Sequence, residues 1–216
     1  MELGTLLPEG DIGGAPATVH EYAQTAEALG YDFLEAPDHV LGANEASAAE
    51  SGRTGAGLYH DPFVLFGYLA GCTTKLGFST GVLILPQRQT VLVAKQAACL
   101  DVLSGGRFRL GIGVGWNEVE FTGLNENFHN RGRRSEEQVQ VMQKLWAEPH
   151  VTFKGRWHTI DDAGITRGLL RAGCRCGSAA ITTAPWSGSP NGATAGCPTP
   201  IRPTIARPRS STGCVA

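Results

Sequence analysis

Apolar positions along the first 165 residues recur in two alternating rhythms. Residues 2–8 (ELGTLLP) form a short apolar run closed by Pro8, which reads as a strand. After a glycine-rich turn, Pro16 fits the first position of a helix, where its missing N–H costs nothing. Val19, Tyr22, Ala23, Ala26 and Leu29 then fall on one helical face, and Gly30 supplies the left-handed residue that ends it. Residues 31–36 read as a second strand, with Pro37-Asp38-His39 as the loop beyond it. Residues 42–60 are small and polar and predict a flexible loop. Asp61 and Pro62 offer the cap and first turn of a helix to about Cys72. Residues 75–85 are almost continuously apolar, as a strand covered on both faces should be. Thr90 is expected to cap a helix to Leu103, closed by Gly105 and Gly106, before a fourth strand over 107–114. Ser135 with Gln138 reads as a capping box for a helix through Val139, Met142, Leu145 and Trp146, stopped by Pro149.

Strand and helix alternating four times predict right-handed βαβ units and an α/β fold. This rhythm leaves a closed barrel and an open sheet equally open. A complete barrel typically takes about 250 residues, and here the pattern stops near Ile165.

Composition changes there too. The 216 residues carry a formal charge of −2, a hydrophobic content of 42% and a mean hydropathy of −0.10, as in a globular protein that stays in water. All 20 acidic residues precede Gly164, whereas residues 166–216 hold six arginines, four of the six cysteines, and no Asp, Glu, Lys or His. That segment, rich in Gly, Pro, Ser, Thr and Ala, shows neither a 3.6 nor a 2.0 period. It is what a GC-rich gene yields when translated out of frame, and it is expected to be an irregular, frameshifted tail behind a domain over 1–165. A natural disordered tail is the other reading. No cationic leader precedes an apolar stretch, and no run approaches the roughly 18 apolar residues a membrane span needs, so a cytoplasmic location without membrane contact is expected.

Several chemistries are set aside on spacing. Gly111, Gly113 and Gly115 are not a dinucleotide fingerprint, because Trp116 stands where G-x-G-x-x-G needs its last glycine. Crowded packing of a strand end accounts for them equally well. The histidines lack metal-ligand spacing, and Cys174-x-Cys176 has no second pair, so no metal is expected. An acidic body without a basic stripe argues against nucleic acid. Arg131, Arg133 and Arg134, followed by Glu136 and Glu137, read as a solvated, salt-bridged face. Glu118 reads as a charge complementing the start of a helix.

Three segments taken together carry a family resemblance. They are Ala36-Pro37-Asp38-His39-Val40, Ser79-Thr80-Gly81-Val82-Leu83-Ile84-Leu85-Pro86, and the block over residues 94–118 that ends in Gly113-Val114-Gly115-Trp116-Asn117-Glu118. Residues 131–137 and 151–157 fit the same pattern. The chain resembles the luciferase-like oxidoreductases, in particular their F420-dependent branch. The resemblance implies a (β/α)8 TIM barrel, of which the first 165 residues would make the first half, about four βα units. It implies coenzyme F420, or alternatively FMN, as cofactor, and hydride transfer between a deazaflavin and a small organic substrate. Asp38 and His39 would face the cofactor ring, with His39 hydrogen-bonding or shuttling a proton. A non-prolyl cis peptide at Gly81–Val82, flanked by Thr80, would back the ring. Gly113 and Gly115 would leave it room, Asn117 would be a nearby polar contact, and Trp116 would form a pocket wall in the catalytic group. The sugar-phosphate-oxidising relatives carry a carboxylate near Trp116 that this chain lacks, so their substrate does not transfer. Groups holding the cofactor's phosphate-bearing tail come from the family's second half.

Two further expectations compete with or extend this one. An FMN-dependent monooxygenase fits the same ring position. An inactive truncated homologue fits the short pattern, because an open half-barrel exposes strand edges and apolar faces and is prone to associate. A homodimer is compatible with either.

Overall fold

The computed structural model describes residues 2–42 and 58–165. Both the segment over 43–57, within the expected flexible loop, and the tail from 166 lie outside the described residues. The elements in chain order are β1 (Gly4–Leu6), α1 (Glu9–Ile12), α2 (Pro16–Ala28), β2 (Phe33–Ala36), α3 (Pro62–Ala70), β3 (Gly77–Thr80), β4 (Leu83–Ile84), a 3₁₀ turn (Leu85–Gln87), α4 (Thr90–Leu103), β5 (Phe108–Arg109), β6 (Ile112–Gly113), α5 (Glu118–Gly123), a second 3₁₀ turn (Phe128–Asn130), α6 (Arg131–Ala147), β7 (Val151–Lys154) and β8 (Thr159–Ala163).

Strands β1, β2, β3 and β5 pair in parallel in that order, and β4 pairs in parallel with β6. In the four-stranded sheet each new strand joins the same edge, and the helices between them bury their apolar residues in one common core with Leu34, Phe78 and Leu83. An open doubly wound sheet would reverse its strand order and put helices on both faces. Sequential order with one helical layer is the winding of a barrel wall, which resolves what periodicity left open. The core is aromatic at its centre: Phe66 stacks at 5.2 Å from Phe78 and 6.3 Å from Phe108, and Phe63 lies 5.9 Å from Phe108. Along β2 and β3 buried and half-buried residues alternate, so Phe33, Glu35, Gly77 and Ser79 occupy the opposite, half-buried face.

The expected strand over 75–85 is interrupted. β3 and β4 are separated at Gly81–Val82, whose peptide bond is cis, and the strand over 107–114 breaks correspondingly into β5 and β6. Gly111 explains the second break sterically: a Cβ there would lie 2.2 Å from the Thr80 carbonyl oxygen. Two capping expectations are corrected. Thr90 is the first residue inside α4, with Gln89 at the cap, and its hydroxyl instead meets His158 Nε2 at 2.5 Å and accepts from Gln138 Nε2 at 3.0 Å. Ser135 and Gln138 are no capping box, because α6 begins four residues earlier at Arg131 and both are buried inside it. Gln138 donates to the Leu85 and Arg88 carbonyls and so ties α6 to the loop after β4.

The antiparallel pair β7–β8 has no counterpart among the expected elements. Glu137 holds its turn, accepting from the backbone N–H groups of Arg156 (2.8 Å), Trp157 (2.8 Å) and His158 (2.9 Å) and from the His158 ring (2.8 Å). Burial pushes this carboxyl up, but these donors outweigh it and leave it below its ordinary 4.5. A lowered folded-state pKa means the stabilisation is present above pH 4.5 and is lost as pH falls through the folded value. Glu137→Gln is therefore expected to cost stability at neutral pH and to converge on the wild type under acid conditions. Urea midpoints measured between pH 7 and 3 (a range around the ordinary carboxylate pKa of about 4) check this, and a gap that does not narrow would refute it.

Candidate functional site

Parallel strands point their C-terminal ends, and the loops beyond them, toward one rim. At this rim the loop after β2 carries Asp38 and His39. Asp38 is 2% exposed and fully engaged. Its carboxylate accepts from the Ile84 N–H at 2.9 Å and from two nitrogens of Arg88, Nε at 3.1 Å and Nη2 at 2.6 Å. Arg88 also donates to Asp61 at 2.9 Å, whose other oxygen caps α3 through the Phe63 and Val64 N–H groups. Asp38 thus clamps the β2 loop to the loop after β4, and its oxygens have this structural task in place of a free face.

His39 is half-buried beside it. Its Nδ1 lies 3.3 Å from Glu120 Oε1, and its ring sits 5.0 Å from Tyr59 and 6.2 Å from Trp116, edge-on to the indole. Glu120, from α5, is 1% exposed. It also accepts from the Val40 N–H at 2.9 Å, the Leu41 N–H at 3.4 Å and Gln87 Nε2 at 3.0 Å. The hydrogen bond to Glu120 lifts the imidazole above its ordinary pKa despite partial burial, with the charges of Glu120 and Asp38 adding to the effect. Burial drives Glu120 the other way, but its bonds from His39, Gln87 and Val40 prevail and hold it below the usual carboxylate value. The pair is an ionised carboxylate under a readily protonated imidazole.

Trp116 and Tyr59 stand 41% and 40% exposed beside His39, so the imidazole is flanked by two accessible aromatic surfaces. Asn117 is buried. Its Nδ2 lies 3.4 Å from the Leu41 carbonyl, and its Oδ1 has no hydrogen-bond partner among the described residues. Thr80 is buried too, but its hydroxyl is consumed: it donates to the Gly111 carbonyl at 2.6 Å and accepts from the Gly111 N–H at 2.8 Å, stitching two strands just beyond the β3–β5 ladder. The space beside the glycines is filled by protein. A Cβ on Gly81 would meet Glu35, one on Gly113 would meet Val82, and one on Gly115 would meet Ile84 and Phe121. Close strand packing therefore demands these glycines, and Gly115 further adopts φ +74°, where glycine is favoured. Val82 is half-buried immediately after the cis bond.

The arginine cluster, expected to be a solvated, salt-bridged face, is salt-bridged at Arg134 but only partly solvated. Arg134 pairs with Glu126 and donates to the Pro86 carbonyl, while Arg131 lies 3.7 Å over the Phe128 ring and donates to the Gly115 carbonyl. Only Arg133 is exposed. Sequence reasoning missed Glu120, Gln87, Arg88 and Tyr59. Arg88 did leave a signal, as the one charged residue between Lys75 and Lys95. Glu120 left none that distinguished it from Glu118, one of two acids in the same helical turn.

Residues 1–168 match the family model of the luciferase-like monooxygenases. The chain is 31% identical to a pyrimidine monooxygenase RutA of Bradyrhizobium sp. (strain BTAi1) over 75% of its own length and 48% of that protein's. Among solved structures it is similar to an F420-dependent secondary alcohol dehydrogenase in complex with an F420-acetone adduct, with 26% identity, a TM-score of 0.61, and coverage of 76% of this chain and 48% of that one. It also superimposes on the oxygenating constituent of 3,6-diketocamphane monooxygenase from Pseudomonas putida in complex with FMN, with 21% identity, a TM-score of 0.58, and coverage of 77% and 44%. The chain spans about half the length of the curated relatives it matches. These neighbours are TIM-barrel enzymes, and the described wall is the first half of that fold.

Proposed function

Because the chain belongs to the luciferase-like monooxygenase family, we propose that its rim serves hydride transfer between coenzyme F420 and a small organic substrate, with His39 as the group that moves the accompanying proton. The observation that carries this reading is the His39 ring, anchored from below by a buried carboxylate and flanked by Tyr59 and Trp116. An imidazole so held is oriented and poised to exchange a proton near neutral pH.

The residues present fit the ring end of such a cofactor. The orphaned, buried Asn117 Oδ1 is an acceptor waiting for an N–H, and the half-buried Val82 and the Trp116 face offer apolar contact to a flat heterocycle. They do not supply the anionic tail with counter-ions, since Arg88, Arg131 and Arg134 are all committed internally. When bound, the deazaflavin supplies the carbon that takes or gives the hydride. The protein's part is to orient the substrate oxygen against His39 Nε2, to take its proton when the substrate is oxidised and return it in the reverse direction, and to exclude water with Tyr59 and Trp116. The similarity to the F420-acetone complex supports the deazaflavin. The 31% identity to a monooxygenase and the fold shared with an FMN complex support the second reading, an FMN-dependent monooxygenase.

Fluorescence titration of the chain with F420 and with FMN, up to millimolar cofactor, tests both. Saturable binding that favours F420 and weakens in Trp116→Leu is expected, with modest affinity because the tail has few partners. A preference for FMN would select the monooxygenase reading, and no binding of either would sink the assignment.

A further inference from the structure

We propose that Glu120 is the positioning residue of this site: it fixes His39 as the Nδ1–H form and thereby presents Nε2 as the working nitrogen. The inference deepens the functional reading above, but its geometric part stands without any cofactor. The argument is one of hydrogen-bond polarity. Three of the groups around the Glu120 carboxylate, the Val40 N–H, the Leu41 N–H and the Gln87 amide nitrogen, can only donate. A buried carboxyl ringed by donors is an ionised acceptor. His39 Nδ1, 3.3 Å from Oε1, therefore faces an acceptor and must carry a hydrogen. Nε2 is then left with its lone pair in the neutral ring and with a second hydrogen in the charged one. It has no protein partner among the described residues.

Free histidine prefers the opposite arrangement, with the proton of the neutral ring on Nε2, so a neutral His39 carrying Nδ1–H would be a signature of the anchor. The other charges near the ring do not compete for this role. Asp38, the adjacent residue, is neutralised by Arg88, which also engages Asp61, and Tyr59 meets the imidazole with its ring. The raised pKa of His39, caused first by the Glu120 hydrogen bond, accords with a carboxylate that holds and charges the imidazole together.

Glu120→Gln is a tolerable test, because Gln87 Oε1 is buried without a partner. Rotating the Gln87 amide would offer that oxygen to the new amide N–H and keep the packing. The measurement is a ring-nitrogen NMR titration of the cofactor-free chain, with the His39 signal assigned through His39→Gln. In the wild type, neutral His39 should carry its proton on Nδ1 and titrate above 6.5, the ordinary histidine value. In Glu120→Gln the titration should move to lower pH while thermal unfolding of the folded chain changes little, and in Glu120→Asp part of the wild-type behaviour should return. If turnover is measurable, the limb of its pH profile reporting His39 should move the same way, with kcat reduced about 10-fold or more and KM little altered. A wild-type neutral ring protonated on Nε2, or an unchanged His39 titration in Glu120→Gln, would overturn the assignment. Absent hydride transfer together with the expected titration would leave Glu120 in place as the anchor and discard only the reaction.

Discussion

Arg88→Leu is expected to destabilise the chain by about 3–5 kcal/mol, the usual result of removing one partner from a buried ion pair. Asp38 would keep only the Ile84 N–H at 2.9 Å as a donor, with its charge 2% exposed and no counter-ion. Asp61 would lose its link to the rim but keep its helix-capping bonds and its access to water. The loss should therefore come from Asp38, and the double variant Asp38→Asn/Arg88→Leu should recover a large part of it. Urea unfolding of the single and double variants measures this directly. A loss below about 1 kcal/mol, the range of surface pairs, would show that water reaches Asp38 and that the clamp is not a buried one.

The second large effect concerns chemistry rather than stability. His39→Ala should lower turnover by about 10²–10⁴-fold, the range for a positioned proton-transfer group, and change cofactor affinity little. The imidazole is proposed to act on the reacting oxygen, whereas the cofactor ring would rest on Val82, Trp116 and Asn117. Steady-state rates followed by cofactor absorbance, with a separate cofactor titration, divide the two effects. Lost binding with normal turnover at saturation would assign His39 to the cofactor instead.

The sequence made the parts of this site with a period or a motif legible. Helices α2 and α4 end within a residue of where their apolar faces and glycine stops end, because a face of that length can bury itself in only one way. The resemblance placed Asp38, His39 and Trp116 at one rim, and there the loop after β2 carries Asp38 and His39 while the Trp116 ring lies 6.2 Å from that of His39. What could not be read were interactions between residues far apart in sequence. Glu120 lies 81 residues from His39, and Gln138 lies 50 from Arg88; neither belongs to a local pattern, so nothing local marks it. Asp38 shows a different gap. Its place in the motif suggested a cofactor contact, while its burial and its bidentate partner give it the work of holding two loops together. The hairpin β7–β8 was missed because its turn is held from outside, by Glu137 of α6, and carries no turn dipeptide of its own.

Tyr59, His60 and Asp61 are consecutive, yet each reaches a different loop. Tyr59 meets His39 beyond β2, His60 gives both its N–H and its ring Nδ1 to Glu9 beyond β1 at 2.7 Å, and Asp61 takes Arg88 beyond β4. One extra residue advances a chain by up to about 3.8 Å, while a hydrogen bond tolerates only a few tenths of an ångström. An insertion anywhere among these three would thus unseat at least one of the loops, because no shift can satisfy fixed anchors on both sides of it. The chain behaves here like a keyed plug, and freedom to change length in this part of the protein must end at Tyr59.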